Sequence, residues 1–169
     1  MKVAQSGAKW WIFTLSTELS TFQREKGGQK MFLGEFIHTT DSKGRVFVPA
    51  KFRQELGETF VVTRGIDNCL SVYPLSEWEK FSARIDAMPL VSARDVRRFF
   101  YSAACDTSLD SQGRVLIPQV LREYAKLEKD TVVIGVNSYI EIWSQSAWEA
   151  KKASENAEDI QNIMMGLGV

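Results

Sequence analysis

A duplicated motif is the feature of this sequence that most limits how the chain can fold. Residues 41–49 read DSKGRVFVP, and 69 residues later positions 110–118 read DSQGRVLIP. When 41–56 is aligned with 110–125, seven positions are identical, whereas ordinary composition would give about one identity by chance. The chain therefore contains two copies of one structural unit.

Each copy has the same local pattern of strands and turns. A short strand leads into a polar Asp-Ser-x-Gly turn, whose glycine can adopt a positive φ angle. A second strand ends at a proline, which cannot donate to a sheet ladder but suits the first turn of a helix. Two β-branched runs then predict a hairpin, and a tryptophan-bearing helix ends the unit. The predicted strands around the turn are 35–39 and 45–48 in the first copy, and 103–107 and 114–117 in the second.

The size of the copies determines how they must pack. Each spans about 45–50 residues, a length at which a separate hydrophobic core is marginal. We therefore expect the copies to share one core with interleaved hairpins, in a mainly β, α+β fold with short helices. The predicted organisation is a first unit at 35–82, an inter-repeat helical segment at 83–102, a second unit at 103–150, and a tail at 151–169 that is a fraying helix or a loosely held end.

Residues 1–30 match neither copy of the repeat. The apolar run around Trp10 and Trp11 is too short for a signal-peptide core, and no small-x-small cleavage site follows it. We expect the native chain to begin at Met31, because residues 25–30 (EKGGQK) can be encoded by a purine-rich bacterial ribosome-binding sequence just before that codon. The alternative is a genuine N-terminal arm.

Composition excludes several classes of protein. The 169 residues carry 21 Lys+Arg against 21 Asp+Glu, with one histidine and two cysteines. No stretch approaches the roughly 20 apolar residues of a membrane-spanning helix, and two cysteines do not make a disulfide framework. Residues 1–30 carry five basic and two acidic groups, so the remainder is slightly acidic. Nucleic-acid binding would therefore need local basic clusters or many copies of a small basic patch.

The duplicated turns carry the clearest chemical signal. In each Asp-Ser-x-Gly-Arg motif, a carboxylate lies four residues before an arginine and can meet it across a tight hairpin. This pairing would hold the planar, forked guanidinium in one orientation, and such a group suits DNA phosphates or the edge of guanine. The alternative is that the Asp–Arg pair only locks each hairpin, and the two roles can coexist.

Further basic residues lie close to the turns in sequence. Lys43 and Lys51 of the first copy are replaced by Gln112 and Val120 in the second, so the first copy is expected to bind phosphate more strongly. With the turns, these positions make up the predicted DNA-binding set: Asp41, Lys43, Arg45, Lys51, Arg53, Asp110, Arg114 and Arg122.

A second basic group lies between the copies. Arg94, Arg97 and Arg98 are spaced to fall on one face of a helix predicted over 92–101. This face is a candidate secondary contact for DNA. The alternatives are a solvated face or a clasp for acidic residues of a neighbouring subunit.

Neither a catalytic nor a metal site is predicted. His38, the only histidine, has no patterned cysteine nearby, which is typical of a surface strand residue. Cys69 and Cys105 are embedded in apolar strand patterns and are interpreted as small core residues. The sequence has no phosphate-binding loop or dinucleotide fingerprint. We therefore expect no enzyme activity and no cofactor.

These motifs resemble the bacterial MraZ family. The resemblance covers residues 31 to about 152 and is carried by 31–36 (MFLGEF), by the two motifs at 41–49 and 110–118, and by 97–102 (RRFFYS). The family's Asp-x-x-x-Arg signature falls on Asp41/Arg45 and Asp110/Arg114.

The resemblance implies a fold and a function. The fold is a pair of tandem AbrB/SpoVT-type swapped-hairpin units that form a pseudo-dimeric barrel and assemble into a ring-shaped homo-oligomer. The function is that of a cytoplasmic, nucleoid-associated transcriptional regulator of the division and cell-wall gene cluster. Such a regulator would bind double-stranded promoter DNA at repeats upstream of its own gene, with no membrane or small-molecule substrate. The alternative is an antitoxin-like or scaffold protein that binds a protein partner through the same fold.

Overall fold

The computed structural model describes residues 31–168, so the predicted extra segment at 1–30 lies outside the described part of the chain. The first repeat comprises β1 (Phe32–Thr39), β2 (Arg45–Phe47), α1 (Ala50–Leu56), β3 (Thr59–Arg64), β4 (Leu70–Pro74) and α2 (Leu75–Asp86). After α3 (Arg94–Tyr101), the second repeat comprises β5 (Cys105–Ser108), β6 (Arg114–Leu116), α4 (Gln119–Tyr124), β7 (Asp130–Asn137), β8 (Tyr139–Ser144) and α5 (Gln145–Ser154). The helix α6 (Ala157–Leu167) follows.

Both repeats have the local structure that their sequence pattern predicts. The turn glycines Gly44 and Gly113 have φ angles of 78° and 77°, which residues with a Cβ rarely adopt. Pro49 and Pro118 directly precede α1 and α4. The strand β1 begins at Phe32, earlier than predicted, because the Phe32 side chain is fully buried and extends the pairing.

The C-terminal residues are more regular than a loosely held end. The helix α5 continues to Ser154, past the predicted boundary at residue 150. The helix α6 starts after Asn156, whose side-chain oxygen accepts a hydrogen bond of 3.0 Å from the backbone N–H of Glu158. An asparagine in this position is a favourable N-cap, so the start of α6 is well defined.

Strand pairing alternates between the repeats. Six strands form an antiparallel sheet in the order β1-β7-β8-β4-β3-β5, and β2 pairs with β6 in a separate two-stranded ribbon. The strand β1 of the first repeat pairs with β7 of the second, and β5 of the second repeat pairs with β3 of the first. The predicted interleaving of the two repeats is therefore confirmed.

The strands do not close into the barrel that the family resemblance implies. Within residues 31–168, β1 and β5 are the two edges of an open sheet. The ribbon strands have only three residues each and end two residues before Pro49 and Pro118, so they are too short to extend the ladder. The ribbon adjoins β1 through an isolated bridge between Thr40 and Val46.

The hydrophobic core belongs to both repeats at once. Val46 lies opposite Val115 in the ribbon, and both side chains are fully buried. One cluster contains Phe32, Val46, Val48, Phe52, Leu56, Phe60, Val62, Leu70 and Val72 of the first repeat, with Val115, Ile117, Leu121, Ala125, Val133, Ile140 and Ile142 of the second. Because this one cluster needs residues of both repeats, and a unit of about 50 residues has only a marginal core of its own, the two repeats stabilise each other. No described helix has the length and apolar character to cross a bilayer.

The pairing of β1 with β7 depends on a close backbone approach at Gly135, which lies opposite Gly34. A Cβ at position 135 would lie 2.5 Å from the backbone nitrogen of Leu33. We expect Gly135→Ala to force the strands apart and to lower the free energy of unfolding by about 1–3 kcal/mol, as measured by urea denaturation.

The matched control is Gly166→Ala in α6, where an added Cβ meets no atom within 4 Å. This variant should be at least as stable as the wild type, because alanine favours a helix more than glycine does. Equal stability of Gly135→Ala and the wild type would show that the strands do not approach as closely as described.

Candidate functional site

The first duplicated turn is held by its aspartate. One oxygen of Asp41 accepts hydrogen bonds from the backbone N–H groups of Lys43 and Arg45, at 2.9 and 3.0 Å. The other oxygen accepts a 2.7 Å bond from Nε of Arg45. The predicted Asp–Arg pairing across the hairpin is confirmed here, and it holds the arginine side chain in one orientation.

The second turn repeats this arrangement. One oxygen of Asp110 accepts from the backbone N–H groups of Gln112 and Arg114, each at 2.9 Å. The other is 2.8 Å from both Nε and Nη2 of Arg114, which is a two-pronged contact with the carboxylate. The two turns are therefore equivalent in backbone and in Asp–Arg chemistry.

The antiparallel ribbon brings the two Asp–Arg pairs together. Nη1 of Arg45 is 3.8 Å from Asp110, and Nη1 of Arg114 is 3.6 Å from Asp41. The Arg114 guanidinium also lies 5.7 Å from the ring centre of Phe47 in the first repeat. We call these four charged residues the Asp–Arg cluster. It joins the repeats and carries two positive and two negative charges.

The arginines stabilise the charged forms of both carboxylates. The Arg114 side-chain hydrogen bond, followed by its backbone N–H, lowers the pKa of Asp110 to about 2. The pKa of Asp41 is lowered as well, first by the backbone N–H of Arg45 and then by its side chain. Both carboxylates are therefore ionised at neutral pH.

Arg53 and Arg122 each lie against the turn of the opposite repeat. Nε of Arg53 donates to the carbonyl of Val48 at 2.8 Å, and Nε of Arg122 donates to that of Ile117 at 3.1 Å. Each guanidinium lies against the turn glycine of the other repeat. A Cβ on Gly113 would overlap Arg53, and one on Gly44 would lie 2.6 Å from Cζ of Arg122.

This contact across the repeats is a structural role that the sequence interpretation missed. The sequence does contain a signal for this role, because both arginines follow the proline of their motif by four residues. The turn glycine is therefore needed for two reasons, its positive φ angle and the space for the opposing guanidinium.

The two lysines predicted for the site lie in different places. Lys43 is exposed on the first turn, where the second turn has the exposed Gln112. Lys51, at the start of α1, donates through Nζ to the carbonyl of Leu33 in β1 at 3.3 Å. The structure thus places Lys43 beside the Asp–Arg cluster and directs Lys51 towards the edge strand.

The predicted single basic face of α3 is wrong for Arg97. Its Nη2 donates to the carbonyls of Asp86 and Met88, at 3.1 and 3.2 Å, and Nε lies 3.8 Å from the Asp86 carboxylate. A cation is favourable at the carbonyl end of a helix, so Arg97 turns towards the end of α2. Arg94 and Arg98 remain exposed on α3.

Within 31–168, no three His, Cys, Asp or Glu side chains are grouped so that they could hold a metal ion. His38 is half-buried, and desolvation lowers its pKa, so the prediction of a surface residue is only partly correct. Cys69 is buried and Cys105 is half-buried against the core.

The lowered pKa values predict an acid-sensitive ribbon. Because the folded-state pKa of Asp110 is about 2 and its ordinary value is 3.8, its stabilising contribution is complete above pH 4 and is lost as the pH falls towards 2. Over this interval, the wild type should lose more stability than Asp110→Asn. Chemical denaturation across the same pH range measures the difference.

The control for this experiment is Asp106→Asn, which removes an exposed carboxylate outside the Asp–Arg cluster. It should follow the wild-type pH dependence. If Asp110→Asn follows the wild type instead, then ionisation of Asp110 contributes nothing to stability over this interval.

Comparison with known proteins gives a consistent family assignment. A family model described as "MraZ protein, putative antitoxin-like" matches residues 31–99 and again 100–164. The chain is 49% identical over 144 residues to the "Transcriptional regulator MraZ" of Acetivibrio thermocellus, and 52% identical over 143 residues to that of Desulfitobacterium hafniense. Each match covers 82% of this chain and all of the relative. MraZ proteins are not enzymes, and this chain belongs to the MraZ family.

Proposed function

We propose that this protein is a DNA-binding transcriptional regulator. In this proposal it acts in the cytoplasm, at the nucleoid, on double-stranded DNA repeats upstream of its own gene in the division and cell-wall gene cluster. The relatives that it matches are named as transcriptional regulators. The observation that carries the proposal is the pair of rigid Asp–Arg turns joined side by side on one ribbon.

The geometry favours Arg45 as the main contact with DNA. Asp41 binds Nε of Arg45 and leaves the Nη groups at longer distances from carboxylates, so these donors are available to a phosphate or a guanine edge. The Arg45 side chain is 27% exposed, against 16% for Arg114. Arg114 therefore has the supporting role, and Arg53 and Arg122 position the turns.

The charge of the site explains why assembly is part of the proposal. The Asp–Arg cluster is neutral overall, so it adds little to the long-range attraction of DNA. Lys43 supplies net positive charge on the first turn, and Lys51 adds charge near β1. A homo-oligomer, which we propose to be a ring, presents these turns many times. Linked contacts raise the effective concentration for each subsequent contact.

One observation favours a second function. The matched family description includes the term antitoxin-like, which fits a protein that binds a protein partner. The two functions differ in salt dependence, because phosphate contacts release counterions and weaken steeply with salt. Binding to the upstream DNA that is insensitive to salt, or absent, would favour the protein partner.

Two substitutions separate a DNA contact from a hairpin lock. Arg45→Ala should weaken binding to the upstream DNA by more than the roughly tenfold to hundredfold of a single arginine contact, since it removes the donor in every protomer. Asp41→Asn should keep affinity for DNA in general, because it removes a negative charge and retains the guanidinium, but it should lose the preference for the upstream sequence, because it removes the hydrogen bond that orients Arg45. Fluorescence anisotropy with the upstream DNA measures both, and thermal unfolding checks that the variants are folded.

A hairpin lock without DNA contact gives a different pattern. Both variants would then lose stability and DNA binding together. Tight binding by Arg45→Ala would place the DNA site elsewhere on the protein.

The difference between the two turns can be tested with an exchange of side chains. Lys43→Gln gives the first turn the side chain of the second, and Gln112→Lys does the reverse. We expect Lys43→Gln to reduce the slope of log affinity against log salt by about one for each contacting protomer, and Gln112→Lys to increase it. Anisotropy titrations at several salt concentrations measure the slope. An unchanged slope in both variants would mean that position 43 does not contact phosphate.

A further inference from the structure

The helix α6 presents an apolar face that its own protomer does not cover. Ile160, Ile163, Met164 and Leu167 follow the spacing that places them on one side of a helix, and each is 46–75% exposed. We call these four residues the α6 stripe. A helix of 11 residues is marginally stable by itself in water. The stripe is therefore suited to packing against another surface.

A second exposed apolar surface lies between α2 and α3. Leu90 and Val91 are 76% and 78% exposed, and two exposed arginines, Arg94 and Arg98, follow them on α3. We call these four residues the Leu90 patch. Arg97 is not part of the patch because it is bound to the carbonyl end of α2.

The two surfaces are complementary in charge as well as in apolar character. Asp159 lies four residues before Ile163 and therefore borders the α6 stripe on the helix surface. Glu158 adds a second negative charge in the first turn of α6. The Leu90 patch is basic, although Asp95 lies 3.5 Å from Arg98 and offsets part of its charge. Apolar contact bordered by opposite charges fits a specific interface.

Both surfaces are exposed in the same protomer, so the chain does not pair them internally. We propose that the α6 stripe of one copy docks on the Leu90 patch of the next copy. The inference rests on the homo-oligomer of the proposed function and identifies its interface. Such an interface joins different surfaces of two identical subunits, and it generates a ring when the rotation closes. Neither surface contains a residue of the Asp–Arg cluster, so docking leaves the turns free to bind another ligand.

The test uses two variants, each of which disables one surface. Ile163→Glu/Met164→Glu disables the α6 stripe, and Leu90→Glu/Val91→Glu disables the Leu90 patch. All four positions are exposed, so the fold should tolerate the changes. Light scattering after size exclusion should give an oligomer for the wild type and a monomer for each variant alone. An equal mixture should give a heterodimer, because the pair retains one intact stripe and one intact patch.

The matched control is Met165→Glu, which changes the residue next to Met164 on the opposite side of α6, where Met165 is also exposed. This variant should have the mass of the wild type. A variant of the α6 stripe that keeps the wild-type mass would overturn the inference. So would a variant of the Leu90 patch that still assembles, since this result would indicate pairing between two α6 helices.

The outcome also separates the interface from the proposed function. An oligomeric wild type with unaffected variants rejects this interface and leaves the regulator intact. A monomeric wild type rejects both the interface and the proposed ring. DNA binding of the monomeric variants, followed by anisotropy, should be weaker than that of the wild type but should still depend on Arg45.

Discussion

The ion pairs between the two turns constrain the centre of the molecule. Each aspartate binds the arginine of its own turn, and each arginine also lies within 4 Å of the opposing aspartate. Val46 and Val115 are buried beneath the same ribbon. The ion pairs and the valine packing therefore require the same pairing register of β2 with β6. A shift of one residue would turn the valines towards solvent and separate the carboxylates from their partners.

The sequence predicts well what is local and repeated. The Asp-Ser-x-Gly turn, the proline before each short helix and the Asp–Arg contact all depend on residues within a few positions of each other, and they occur twice. The shared core followed from length, because a unit of about 50 residues cannot bury enough apolar surface. The strand order could not be predicted from the sequence. The pairing of β1 with β7 joins residues about 100 positions apart, and a local sequence pattern carries no information about such a distant partner.

Long-range contacts also explain why three arginines have a role other than the predicted one. Arg53, Arg97 and Arg122 were grouped with the DNA contacts by charge and spacing, yet each donates hydrogen bonds to backbone carbonyls. The unpaired carbonyls at a helix end or beyond a strand accept hydrogen bonds from a nearby cation, and only tertiary structure brings an arginine within reach of them. Counts of arginines in the sequence therefore overestimate the number of guanidinium donors that are free to bind a ligand.

The neutrality of the Asp–Arg cluster affects how the protein would recognise DNA under the proposed function. Within the Asp–Arg cluster, the carboxylates fix the guanidiniums in place and cancel their charge. The arginines are therefore better oriented, but their electrostatic attraction for DNA is weaker. Specificity and affinity are then supplied at different levels: the turn provides the geometry, and the number of linked turns provides the strength. A subunit interface such as the one proposed for α6 would set that number. Affinity for repeated sites would thus change with the state of assembly, even if every Asp–Arg turn were unaltered.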